Sequence, residues 1–81
     1  MKPVSIYTTD TCSYCKMAKE FFQKNKVEYQ EFNVGTDLEK RQEMIEKSGQ
    51  MGVPVITVGG DIVVGFNKAR LEELLGVSGA A

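Results

Sequence analysis

Two cysteines, Cys12 and Cys15, are the residues whose type and spacing point most directly to chemistry, and they stand in the stretch TTDTCSYCK. Polar residues precede Cys12 and a helical pattern follows it, so the pair should lie where a strand gives way to a helix. Three-residue spacing on a helix brings both side chains to one side, within reach of a disulfide. Unpaired N–H groups at a helix N-terminus favour a thiolate, and C-x-x-C cysteines there have pKa values of about 3.5–7.5. Cys12, nearest the helix end, is the predicted nucleophile, and Cys15 is the predicted resolving thiol.

Other roles for these cysteines agree less well with the sequence. A tetrahedral zinc site needs about four ligands. The chain has two cysteines and no histidine, so no metal site is expected without carboxylates or a second chain. A disulfide across so short a loop removes little entropy from the unfolded chain, and the cytosol would reduce it. A redox-active pair is therefore the favoured interpretation.

Hydrophobic periodicity predicts the elements that must position the pair. Strands are predicted at residues 4–7 and 27–34, and as two β-branched runs in VPVITVGGDIVVG separated by the turn at 59–61. Helices are predicted from residue 12, from a capping box of Thr36 and Glu39 to about residue 49, and from an Asn67 cap to Gly76. The order βαβαββα predicts one α/β domain at residues 1–76, with a four-stranded mixed sheet and three flanking helices. A loose tail is predicted at 77–81.

Composition narrows the possible partners. The chain has 42% apolar and 26% charged residues and a net charge of −1, an ordinary globular mixture without a basic field. No apolar run approaches membrane-spanning length, and the N-terminal residues do not resemble a signal peptide. We therefore expect a cytoplasmic monomer that binds neither nucleic acid nor membrane.

The stretches VSIYTTDTCSYCKMAKEFF and KRQEMIEKSGQMGVPVITV, with a glycine at position 65, together resemble the glutaredoxin family over nearly the whole chain. The resemblance implies a thioredoxin-like fold and a dithiol oxidoreductase that reduces protein disulfides or glutathione mixed disulfides through Cys12 and Cys15. It also implies a cis peptide bond before Pro54 and pairing of the Val53 backbone with an extended thiol substrate. The implied substrate-binding residues are Thr11, Ser13, Tyr14, Val53, Pro54, Gly65, Phe66 and Asn67.

The departures from the family pattern concern glutathione. Glutathione-using members carry Lys or Arg where this chain has Thr9, and a GG-x-D-D-like turn where it reads VGFNK. Charge-assisted contacts of about 1.5–3 kcal/mol each would be lost, which lowers the affinity for glutathione by one to several decades. Residues 40–42, Lys-Arg-Gln, could supply a replacement partner for a carboxylate. Glutathione, bound transiently and weakly, is the implied reductant, and no cofactor is expected to be bound permanently.

Three alternatives remain open, and the first is a thioredoxin-like binding module without turnover, in which Cys12 would be unreactive. The GF turn at 65–66 is similar to that of glutaredoxin-like redoxins that serve ribonucleotide reductase and are reduced by thioredoxin reductase, and an exposed Phe66 beside Tyr14 would suit docking of a protein partner. Ser13 replaces the usual proline, as in some members that dimerise around a [2Fe–2S] cluster with two glutathiones, using one active-site cysteine per subunit.

Overall fold

Seven elements follow one another in the predicted order in a computed structural model that describes residues 3–50 and 52–76. The predicted tail at 77–81 lies outside the described residues. The elements are β1 Val4–Thr8, α1 Ser13–Lys24, β2 Gln30–Asn33, α2 Leu38–Ser48, β3 Val55–Val58, β4 Asp61–Val64 and α3 Lys68–Leu75. None of the helices in this described part has the length and apolar character needed to cross a bilayer.

The sheet has the strand order β2-β1-β3-β4. Strands β1 and β2 are parallel and are joined by α1, whereas β3 runs antiparallel to both of its neighbours. In this register Tyr7 lies opposite Phe32 on one side and Val55 on the other. The hairpin between β3 and β4 needs a left-handed residue, and Gly59 supplies it with a φ of 61°. The predicted four-stranded mixed sheet is confirmed.

Both faces of the sheet are covered. Helices α1 and α3 pack on one face, and α2 packs on the other. The first core consists of Val4, Ile6, Ala18, Phe21, Phe22, Val27, Ile56, Val58, Val63 and Leu71. The second consists of Tyr7, Val34, Met44 and Val55. Full burial of one such large apolar side chain contributes about 1.5–3 kcal/mol. The two cores therefore hold the helices firmly against the sheet, and with them the junction of β1 and α1 that carries the cysteines.

Strand β2 is shorter than the predicted span of 27–34. Helix α1 ends at Lys24 with Asn25 as its C-cap, and Lys26 then adopts the left-handed conformation with a φ of 57°. The Val27 N–H donates to the carbonyl oxygen of Phe22 at 2.8 Å, so the chain is still closing the helix there and cannot yet pair with β1. Tyr29 packs against the first core from this connection rather than from a strand.

Helix α2 begins one residue later than its predicted capping box. The side chain of Asp37, and not that of Thr36, accepts the first free N–H, from Lys40, at 3.1 Å. The Thr36 hydroxyl instead donates to the carbonyl oxygen of Asn33 at 3.3 Å, within the turn that leaves β2. The prediction of Thr36 as the cap was therefore wrong. Two good capping residues lie side by side, and the first of them, Thr36, bonds within the turn instead.

Candidate active site

The two cysteines meet at the end of β1. Cys12 is the N-cap of α1, with φ −91° and ψ 108°, and Cys15 lies one turn inside the helix. The Cys15 N–H donates to Cys12 Sγ at 3.1 Å. The Cα atoms are 5.2 Å apart and the sulfurs form a disulfide. Cys12 is half-buried, whereas Cys15 is 1% exposed, so an incoming molecule reaches Cys12 first.

The loop that delivers Cys12 is anchored by a residue that the sequence reasoning missed. Asn33, the last residue of β2, donates from Nδ2 to Asp10 Oδ1 at 2.7 Å, and its Oδ1 accepts the Gly35 N–H at 2.9 Å. The Cys12 N–H donates to the carbonyl oxygen of Thr9 at 3.4 Å. Parallel strands β1 and β2 end at the same edge of the sheet. An asparagine at the end of β2 could therefore have been predicted to contact the loop that follows β1.

A groove of about 400 Å³ runs beside the cysteine-bearing turn. Its lining residues are Tyr14, Val53, Pro54, Val64, Gly65, Phe66 and Asn67. Six of the eight predicted substrate-binding residues thus line one groove, whereas Thr11 and Ser13 are exposed residues outside its lining. Val64 was not predicted, although its position next to Gly65 was the available signal. None of the seven lining residues carries a charged side chain.

The groove is built from two chain segments joined through their backbones. The Val53–Pro54 peptide bond is cis, and the Gly65 N–H donates to the Pro54 carbonyl oxygen at 2.8 Å. Gly65 has a φ of 80°, a conformation that glycine adopts at little cost. Asn67 caps α3, as predicted, by accepting the Arg70 N–H at 3.1 Å. That bond uses its Oδ1, so Nδ2 is the atom of this side chain left to face a ligand.

Phe66 differs from its prediction as an exposed residue. It is half-buried, and its ring meets Phe21 edge-on at a centroid distance of 6.0 Å, against the core that α1 and α3 share. Tyr14, by contrast, is 62% exposed. Tyr14 and Phe66 were expected to be a pair of exposed rings. Instead Tyr14 is exposed and Phe66 is largely packed against the core.

Two lysines that could act on the site, Lys19 and Lys40, are paired with carboxylates. Lys19 pairs with Glu31 at 2.9 Å, and the hydrogen bond from Lys19 together with one from Thr8 holds the pKa of Glu31 below its usual value. Lys40, a predicted candidate for binding a carboxylate, pairs with Glu43 at 3.0 Å and lies 4.3 Å from the ring centroid of Phe32. Of that predicted set, Arg41 remains exposed.

No group of three or more Cys, Asp, Glu or His side chains in residues 3–50 and 52–76 is arranged to hold a metal ion. A [2Fe–2S] cluster, which takes four thiolates or equivalent ligands, would therefore need ligands from outside this part of the chain. The cluster role of Cys12 stays a prediction.

Comparison with known proteins establishes the family. The glutaredoxin family model matches residues 4–63, about three quarters of the chain. A glutaredoxin-like 8.6 kDa protein in the rubredoxin operon of Clostridium pasteurianum is 43% identical over 72 residues, covering 89% of this chain and 96% of that protein. The glutaredoxin-like protein NrdH of Lactococcus lactis subsp. cremoris is 30% identical over 74 residues, covering 88% and 97%. This chain therefore belongs to the glutaredoxin family.

A solved structure supports the same assignment of the fold. A mutant of the thioredoxin-like protein BC3987 superposes with a TM-score of 0.90 at 31% identity, covering 96% of this chain and all of that one. The fold is thus thioredoxin-like. The family and the cysteine pair within disulfide distance define a redox protein of the thiol–disulfide oxidoreductase class.

Proposed function

We propose that this chain is a dithiol oxidoreductase that reduces protein disulfides and glutathione mixed disulfides, with Cys12 as nucleophile and Cys15 as resolving thiol. The observation that carries the proposal is the asymmetry of the pair. Cys12 caps the helix and accepts an N–H there, whereas Cys15 is buried one turn deeper. Helix-end N–H groups stabilise a thiolate at the cap position, which is the species that attacks a disulfide.

The reaction proceeds by two exchanges. The Cys12 thiolate attacks one sulfur of the substrate disulfide, and the new Cys12–substrate bond forms as the old S–S bond breaks. The departing thiolate takes a proton from water. The Cys15 thiol, on losing its proton, attacks the Cys12 sulfur and displaces the second substrate thiol. Two electrons pass to the substrate, and the pair is left as the Cys12–Cys15 disulfide seen in the structure.

The groove supports an extended substrate. Among the hydrogen bonds within residues 3–50 and 52–76, none uses the backbone N–H or C=O of Val53, which lines the groove. A substrate chain laid along Val53 would satisfy both groups as a short β-pairing, with Tyr14 and Phe66 contacting its side chains. Backbone pairing of this kind accepts many sequences, which suits a reductant of several disulfides.

We propose glutathione as a reductant of low affinity. The seven groove residues offer no charge to its two carboxylates or its ammonium group, Thr9 is uncharged, and Lys40 is already paired. Reduction should therefore rise with glutathione concentration without saturating in the millimolar range. Thr9→Lys should speed this step about tenfold or more, since one charge-assisted contact contributes about 1.5–3 kcal/mol. Thr36→Lys, the same change at an exposed turn, is the matched control.

The uncharged groove also favours a second candidate, electron delivery by thioredoxin reductase, and the relative named NrdH is consistent with it. A coupled assay separates the two sources. NADPH oxidation is followed with a mixed-disulfide substrate and either glutathione plus glutathione reductase or thioredoxin reductase alone. Faster turnover with the second system assigns this chain to thioredoxin reductase. Turnover with neither system would contradict both candidates.

Single cysteine variants test the assigned roles. Cys15→Ser should accumulate a mixed disulfide between Cys12 and the substrate, seen by mass spectrometry of the intact protein. Cys12→Ser should lose reduction of protein disulfides altogether, because the remaining sulfur is 1% exposed. Equal residual activity in the two variants would contradict the assignment.

A further inference from the structure

A second pocket, of about 280 Å³, lies between α1 and the start of α3; we call it the side pocket. Its apolar lining comes from Met17, Phe21 and Phe66, and its charged lining comes from Glu20, Lys24 and Lys68. We propose that the side pocket receives an apolar side chain, followed by an acidic one, from the protein whose disulfide is reduced. This inference rests on the proposed function and specifies its substrate class.

The side pocket is continuous with the groove beside the cysteines. Phe66 lines both. On α1, Tyr14 in the groove and Met17 and Phe21 in the side pocket are spaced by three and four residues, which places them along one face of the helix. An apolar stripe thus leads from the turn that carries the cysteines to the side pocket, so a chain bound in the groove can extend over it.

Two residues of the stripe, Tyr14 and Met17, are exposed, and so is Val64 in the groove beside it. Five large apolar side chains are exposed in the described residues, and Tyr14, Met17 and Val64 are three of them. All three line the groove or the side pocket, whereas Leu38 and Ile62 line neither. Exposed apolar surface gathered around a reactive centre is typical of a docking surface for protein.

Charge defines the partner further. Within residues 3–50 and 52–76, Glu20, Lys24 and Lys68 take part in no ion pair. Two positive charges against one negative leave the lining of the side pocket with a net positive charge. A carboxylate beside the inserted apolar side chain complements this charge. Glutathione has no large apolar side chain to place here, so the fitting occupant is a segment of a protein.

Peptides of defined sequence test the inference. Each carries one cysteine as a mixed disulfide with 2-nitro-5-thiobenzoate, whose release by the reduced protein is followed by visible absorbance. One series places Leu-Asp at several spacings on either side of the cysteine in a Gly-Ser chain, and the matched series places Ser-Lys there. At the spacing that reaches the side pocket, the Leu-Asp peptide should react at least about fivefold faster than its partner, from partial burial of the leucine. Each rate is divided by the rate at which the same protein releases thiobenzoate from its mixed disulfide with 2-mercaptoethanol, so that differences in the reactivity of Cys12 cancel.

Variants locate the effect. Met17→Ser should remove most of the preference, whereas Leu38→Ser, the same kind of change at an exposed position on α2, should keep it. Lys24→Glu should weaken the preference for the Leu-Asp peptide over the Ser-Lys peptide, and Glu20→Lys should strengthen it. Thermal unfolding confirms that each variant is folded.

Equal rates for both peptide series at every spacing would overturn the inference while leaving the proposed function intact. The same holds if Met17→Ser and Leu38→Ser act alike. A wild-type protein that releases no thiobenzoate even from the 2-mercaptoethanol disulfide would instead refute the proposed function, and with it the inference.

Discussion

Glu43 should make the stability of this protein depend on acid pH. Its Oε1 accepts the Tyr7 hydroxyl at 3.1 Å and pairs with Lys47 at 3.0 Å, and its Oε2 pairs with Lys40 at 3.0 Å. These contacts, the Lys47 hydrogen bond foremost and then that of Lys40, lower the pKa of Glu43 to about 2. The carboxylate therefore ties β1 to α2 on the face that α2 covers.

The magnitude follows from the shift and the exposure. A fall of the pKa from 4.5 to about 2 would correspond to about 3 kcal/mol at 1.36 kcal/mol per unit. The side chain is 34% exposed and its ion pairs are screened by water, which reduces the contribution to about 1–2 kcal/mol. Glu43→Gln keeps the shape of the side chain and removes its charge, so we expect it to lower the free energy of unfolding by that amount at neutral pH.

The sign of the pH dependence is fixed by the direction of the shift. Because the pKa of Glu43 is lower in the folded state, its stabilisation is fully present above the unfolded value of about 4.5 and is lost as the pH falls through about 2. The difference between wild type and Glu43→Gln should thus be constant near neutrality, shrink as the pH falls below about 4.5 and be small at about pH 2. The pKa of Glu31 is also lowered, but this contribution is common to both proteins and cancels.

Urea unfolding of the oxidised protein, followed by circular dichroism at several pH values, measures this difference; the chain has no tryptophan to report by fluorescence. Glu46→Gln on the same helix is the matched control, because within residues 3–50 and 52–76 Glu46 accepts a single bond, from Gln42 at 3.4 Å. The control should change stability by no more than about 0.5 kcal/mol. A difference that persists undiminished at about pH 2, or an equal loss in the control, would refute the role given to Glu43.

Three further changes test other parts of the fold by urea unfolding. Lys26→Gly should stabilise by about 0.5–1 kcal/mol, because glycine adopts the left-handed φ of 57° without a Cβ clash, whereas Lys16→Gly, at an exposed position within α1, should destabilise by a similar amount. Asn67→Ala should cost about 1 kcal/mol by leaving the Arg70 N–H without its cap, and an unchanged midpoint would contradict the capping bond. Met44→Ala, at a fully buried site, should cost about 2–5 kcal/mol while the folded fraction still reduces disulfides; loss of activity in folded molecules would contradict its purely structural role.

Features that depend on residues close together in the chain could be predicted from the amino-acid sequence. Alternating β-branched residues, two glycines in a hairpin and capping residues act within a few positions, so the order of elements, the ends of α2 and α3 at Gly49 and Gly76, and the Asn67 cap could be predicted. The position of Cys12 at a strand-to-helix junction belongs to the same class. Tyr14, Pro54 and Gly65 could be named because they match a family pattern, and the structure places all three in one groove.

Contacts between residues distant in the chain depend on how the folded elements pack and could not be predicted from the amino-acid sequence. Tyr7 reaches Glu43 across 36 positions, Asn33 holds Asp10 across 23, and the Phe66 ring is covered by Phe21, so none of these could be read from local spacing. The choice between two adjacent capping residues also depended on the folded structure: Thr36 bonds within the turn after β2, and Asp37 caps α2. The side pocket also exists only because β4 brings Phe66 beside α1. Short-range preferences set which elements form, whereas the packing of the sheet against its helices sets which side chains meet.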